Sequence, residues 1–119
     1  MARKRPQILK GNTTKKQTGC GPMYITINDD ENSIYELLAS LGKGGGCASA
    51  QVEAICRMAS LALRSGATPA QVVKQLSGIN CPAPVVTETG KTYSCGDAIA
   101  QAIKQHMAQL PKLEATDGT

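Results

Sequence analysis

Three consecutive glycines, Gly44 to Gly46, divide this chain into two stretches with different hydrophobic periods. Glycines supply no side chain to a core, so the two stretches must meet through a loop. Before the loop, Met23-Tyr24-Ile25-Thr26-Ile27 sets Tyr24 and Thr26 against Met23, Ile25 and Ile27. That is strand alternation written in β-forming residues. Thr13, Thr14 and Thr18 suit a first strand, and Asn28 to Asn32 reads as a turn. Leu37, Leu38 and Leu41 also fit a helix. The preceding strand, the short polar turn and the matched length favour a hairpin, so residues 33–41 are assigned to a strand.

After the loop the period becomes helical. Ser49 is placed to cap a helix over residues 50–64, in which Val52, Ile55, Met58/Ala59 and Ala62 make a stripe that Cys56, Leu61 and Leu63 widen. Such a helix is expected to be central and largely buried. Glu53 and Arg57 form an i,i+4 pair within it, and Gly66 stops it. Thr68-Pro69-Ala70-Gln71 combines a cap, a first-turn proline and a capping-box glutamine, and starts a helix over 68–78 whose apolar face is Val72, Val73, Leu76 and Ile79. Asn80 to Gly90 reads as a loop. Ser94 caps a third helix over 95–109, with Asp97 in its first turn, and Pro111 ends it. The expected fold is α+β: a small antiparallel sheet from the N-terminal third, packed against about three helices. Residues 1–19 form a basic arm leading into the first strand, 20–110 a single domain, and 111–119 a frayed tail.

The 119 residues include no Phe and no Trp. Aliphatic side chains must fill the core, and a chain this size buries only about two-thirds of its unfolded surface. A homo-oligomer is therefore expected. The net charge is +4, and Arg3, Lys4, Arg5, Lys10, Lys15 and Lys16 all precede the first acid, Asp29. An arm of this kind points to an anionic partner. It lacks interleaved aromatics, which disfavours single-strand stacking. No apolar run approaches the ~18 residues of a membrane span, and no apolar segment follows the basic N-terminus as in a secretory signal. A cytoplasmic protein with no membrane association is expected. Five cysteines, odd in number and irregular in spacing, argue against a disulfide scaffold.

The candidate site is the glycine loop itself. Gly42 to Ala50 places Lys43 and bare backbone at the start of a helix, where unpaired N–H groups and the helix dipole favour anions. A tight loop needing positive φ is the alternative; a Walker A motif is absent. The expected anion or nucleotide site comprises Lys43, Gly44, Gly45, Gly46 and Ser49, with Arg57 and Arg64 further along the helix and Lys15 and Lys16 closing from the arm. Cys20, Cys47, Cys81 and Cys95 all lie at ends of elements. Four convergent thiolates would bind zinc, whereas inert buried thiols are the alternative, since none forms a Cys-x-x-Cys pair. Cys47 and Cys95 stand near helix starts, which lowers a thiol pKa. Cys56 reads as core. The lone His106 reads as a partly buried structural residue, and Asp29, Asp30 and Glu31 as a turn rather than an acid/base pair. No catalytic residues are assigned.

Several strings occur in order: Arg5-Pro6, Leu9-Lys10-Gly11, Thr18-Gly19-Cys20-Gly21, Tyr24-Ile25-Thr26-Ile27, Gly42-Lys43-Gly44-Gly45, Glu53-Ala54-Ile55, Ser60 to Gly66, Gly78-Ile79, Cys81-Pro82 and Ser94-Cys95-Gly96-Asp97-Ala98-Ile99. Together they resemble the TSCPD domain, found near the C-terminus of adenosylcobalamin-dependent (class II) ribonucleotide reductases and as small stand-alone proteins. The resemblance spans residues 5 to 107. The naming Thr-Ser-Cys-Pro-Asp motif reads Tyr93-Ser94-Cys95-Gly96-Asp97 here, differing at two positions. The resemblance implies a link to deoxyribonucleotide synthesis and DNA replication. It does not imply the reaction, which needs a thiyl radical in a ten-stranded barrel, a cobalamin site and a substrate pocket: 119 residues leave no room for that barrel, and the sequence has no terminal Cys-x-x-Cys pair. An accessory or regulatory module that binds nucleotide, or docks on a reductase catalytic subunit, is the first reading. A nucleotide-binding protein of phage origin that sequesters phosphorylated or cyclic signalling nucleotides is the second. A zinc-stabilised interaction scaffold is the third.

Overall fold

The computed structural model describes residues 4–30, 33–42, 46–88 and 90–118, with side chains through residue 109. Three antiparallel strands, β1 (Lys10–Thr18), β2 (Gly21–Asp29) and β3 (Ile34–Leu41), form a sheet in the order β1-β2-β3. The hairpin reading of residues 33–41 holds. Thr14 faces Ile25 across one ladder and Leu37 faces Ile27 across the other. Alternation puts Met23, Ile25, Ile27 and Leu37 on one buried face. The other face is polar, and there Thr13 and Thr26 share a hydroxyl hydrogen bond of 2.8 Å. The turn after β2 closes through Asp30 N–H to Ser33 O at 3.0 Å and Ser33 N–H to Asp30 Oδ1 at 2.9 Å.

Helix α1 (Gly46–Arg64) lies against β3, α2 (Pro69–Leu76) follows, and α3 (Cys95–Gly118) crosses the buried face of the sheet. The α2 start is the expected capping box: Thr68 Oγ1 accepts from Gln71 N–H at 3.1 Å and Gln71 Oε1 from Thr68 N–H at 2.8 Å. Ser94 caps α3, its Oγ accepting from Asp97 N–H at 3.1 Å.

Four expectations need correction. The central helix is α3, not α1. Ala98, Ile99, Ala102 and Ile103 are all at most 2% exposed, because alanines let the helix approach the sheet closely. α1 buries one stripe, Val52, Cys56, Ala59 and Leu63, and leaves Met58 and Leu61 exposed. α1 also begins at Gly46, so Ser49 sits inside its first turns and is not the cap. The 80–90 loop holds a short hairpin, β4 (Val85–Thr87) with β5 (Gly90–Thr92), built from β-branched residues too few to show a period. Finally, α3 continues through Pro111 to Gly118. Proline removes one hydrogen bond, but Leu113, Glu114 and Ala115 beyond it are good helix formers on an already nucleated helix.

Candidate functional site

A cleft of about 760 Å³ opens between β3 and α1. Its chemistry starts from the ladder. Leu37 N–H donates to Ser60 Oγ at 2.9 Å, and Ser60 Oγ donates to Leu37 O at 3.3 Å. The Leu37 peptide groups therefore point away from β2, and the Leu37–Ile27 pair is the non-hydrogen-bonded kind. The pattern repeats every two residues, so the N–H and C=O groups of Ala39 and Leu41 also point outward, along the cleft. The bond from Gly42 N–H to Pro22 O at 2.8 Å fits this alternation. Ser60 thus ties α1 to the sheet edge at one point and leaves the strand open further along.

Ser49, Arg57 and Arg64 line the opposite wall. Arg57 Nη2 pairs with Glu53 Oε2 at 2.8 Å, both exposed. Arg64 holds its guanidinium 5.4 Å from the centre of the Tyr35 ring. Glu36 lies at the same end. Burial pushes its carboxyl up, but hydrogen bonds from Arg5 Nε (3.2 Å), Arg5 Nη2 (3.2 Å) and Asn28 Nδ2 (2.7 Å), with the charges of Arg5 and Arg64, hold it below its ordinary value.

The structure distributes the predicted anion set over two places. Ser49, Arg57 and Arg64 share the β3–α1 cleft, and Gly46 opens α1 with free space where a Cβ would stand. Lys43, Gly44 and Gly45 lie outside the described residues. Lys15 and Lys16 belong to β1, at the opposite edge of the sheet. Lys15 lies on the outer face with Nζ 6.0 Å from the Tyr24 ring centre, while Lys16 points inward and is 9% exposed.

The thiols also separate. Cys95 Sγ lies 3.9 Å from Thr18 Oγ1 and neighbours Cys20, with Cys81 also in electrostatic reach. Gly19 brings these loops together, since a Cβ there would collide with the Ala83 carbonyl. Cys47 stands exposed on the first turn of α1. Among the described residues, no three His, Cys, Asp or Glu side chains are grouped to hold a metal ion. Burial raises the Cys95 thiol pKa, opposed by the Thr18 hydrogen bond and reinforced by Cys20 and Cys81. The expected lowering by the helix start is therefore outweighed by desolvation. Cys56 is core as expected, and burial pushes its thiol up to about 11.

Asp97 is expected in the first turn of α3 and His106 as a structural residue, but the remote partners of both are visible only in the structure. Asp97 is buried and gathers three donors: Gly78 N–H at 2.8 Å, Tyr93 N–H at 3.1 Å and Gln101 Nε2 at 3.0 Å. The Ser94-x-x-Asp97 spacing is a capping-box signature and marks the residue, but not its remote partner on Gly78. His106, expected to be structural, is buried and places Nε2 2.9 and 2.7 Å from the two oxygens of Asp29. The pair joins α3 to the end of β2, and no local signal links residues so far apart in the chain.

No helix among the described residues is long and apolar enough to cross a membrane. No curated protein and no solved structure matches the chain. The family model of the TSCPD domain matches residues 1–107, which take in the sheet, α1, α2, the β4–β5 hairpin and the buried first half of α3. By that match, and with the Ser94-Cys95-Gly96-Asp97 segment forming the cap of the central helix, this chain belongs to the TSCPD domain family.

Proposed function

We propose that this chain is an accessory or regulatory module related to ribonucleotide reductase, that it binds a nucleotide or similar phosphate ligand in the β3–α1 cleft, and that it is not catalytic alone. The observation that carries the reading is the cleft, whose volume of about 760 Å³ lies within the range of small-molecule sites. One wall is an open strand edge with peptide donors and acceptors; the other carries Ser49 and two arginines. Leu38 and Leu61, 53% and 44% exposed, offer apolar surface for a base. The first-turn amides of α1 and the arginine forks suit phosphate oxygens. Among the described residues Cys56 is the one cysteine in the cleft wall, and burial pushes its thiol up to about 11, which disfavours nucleophilic chemistry there.

Binding of ATP and dATP, followed by isothermal titration, tests this. Arg64→Ala is expected to weaken binding roughly 10- to 150-fold, the effect of losing one charge-assisted contact of about 1.5–3 kcal/mol. Arg57→Ala should do less, since its guanidinium must first leave Glu53. Equal affinity of parent and both variants, or no binding by the parent, rejects the reading.

A further inference from the structure

Lys16 sits on the inward face of β1, beside Met23 of β2, and is 9% exposed. Among the described residues its ammonium has no hydrogen bond and no ion pair. No buried side-chain nitrogen or oxygen among the described residues lacks a partner, so the tip of Lys16 reaches the solvent beside it, where an anion can meet the ammonium. The side chain lines a second cleft, of about 450 Å³, between β1, the β4–β5 hairpin and α3. Lys15 adds a second cation to the lining, the uncharged groups are Thr14, Gln17, Thr87, Thr92 and Gln105, and Glu88 is the one carboxylate among the described lining residues. Thr92 is itself buried, and its hydroxyl lies 3.4 Å from Gln101 Oε1, so its orientation is set from behind.

We propose that this cleft is a second ligand site, separate from the β3–α1 cleft, that takes a small phosphate monoester bearing free hydroxyls. The phosphate pairs with the Lys16 ammonium and accepts from the Thr14 hydroxyl and the Gln105 amide. The hydroxyl-bearing end lies toward Glu88, whose carboxylate accepts hydrogen bonds and repels a second phosphate. The site therefore selects one phosphoryl group at one end of a polar molecule. Burial lowers the Lys16 pKa, in keeping with an ammonium that lacks a counter-ion. Because the site stands on the opposite sheet edge, it does not depend on the function proposed for the β3–α1 cleft.

The test is thermal unfolding of the whole chain with ribose 5-phosphate, ribose and sodium acetate at matched ionic strength. Ribose 5-phosphate should raise the midpoint of the parent with a saturable dose response, and ribose and acetate should not. Lys16→Met keeps the stem and removes the charge, and should weaken the apparent affinity roughly 10- to 150-fold. Arg64→Ala should leave the response in place, so the two clefts are read separately. No response in the parent, an equal response in Lys16→Met, or an equal response to acetate overturns the proposal. Should Lys16→Met fail to fold, the parent with ¹³C-methylated lysines decides: the Lys16 methyl signal must move on addition of ribose 5-phosphate, and a signal that stays in place overturns it.

Discussion

Asp97 joins three segments through one carboxylate. It fixes the end of α2 through Gly78, the approach to α3 through Tyr93, and the second turn of α3 through Gln101. Gly78 adopts φ +77°, which glycine tolerates and which aims its N–H at the carboxylate. Asp97→Asn turns an amide NH₂ toward at least one of these donors and should cost about 2–4 kcal/mol in urea unfolding. Glu36 gives a pH signature. Its pKa is held below the ordinary 4.5, so the ionised form stabilises the fold. That contribution is present above the unfolded-chain pKa and is lost as pH falls through the folded value. The stability gap between the parent and Glu36→Gln should shrink on acidification from about pH 6 to about pH 3. A gap unchanged over that range means that the Arg5 and Asn28 contacts add nothing to stability.

At the scale of elements, the junctions are more constrained than the elements. The β1–β2 turn packs against the loop before β4 only because residue 19 lacks a side chain. Gly19→Ala is expected to push the two loops apart, costing about 1–3 kcal/mol in denaturant unfolding and exposing Cys95 to thiol reagents faster than in the parent. Unchanged stability and labelling would show that the loops separate freely. Ser60 is the comparable point on the other edge. One hydroxyl satisfies both the N–H and the C=O of Leu37 and makes α1 the cover of the sheet there.

Across the whole molecule the exposed apolar side chains are spread over several elements, and three of them, Leu38, Met58 and Leu61, meet at the β3–α1 cleft. Met58 is 67% exposed and borders both the β3–α1 cleft and an apolar groove lined by Ile55, Ala62, Val72 and Leu76. A contiguous patch of this kind marks an interaction surface. We expect a homodimer or higher symmetric oligomer that covers it. Light scattering at high micromolar concentration should give a multiple of 12.4 kDa, and Leu61→Glu should return the single-chain mass. A parent that scatters as one chain removes the oligomer.

Much of the architecture was written in short-range pattern. The alternation of Met23, Ile25 and Ile27, the Thr68-Pro69-Ala70-Gln71 start of α2 and the Ser94 cap of α3 each act over two to four residues, and all appear as read. Strand period and capping are local physics, so the sequence alone determines them. The candidate site was legible only in part. Ser49, Arg57 and Arg64 share one helix, and helical geometry already relates them. Lys15 and Lys16 went to a different cleft because they occupy the far edge strand, and which edge faces which helix is decided by packing. The same holds for α3 displacing α1 from the centre, for Ser60 on the β3 edge and for His106 on Asp29. Those contacts join residues far apart in the chain, and only the closing of α1 and α3 onto one sheet brings their atoms within reach.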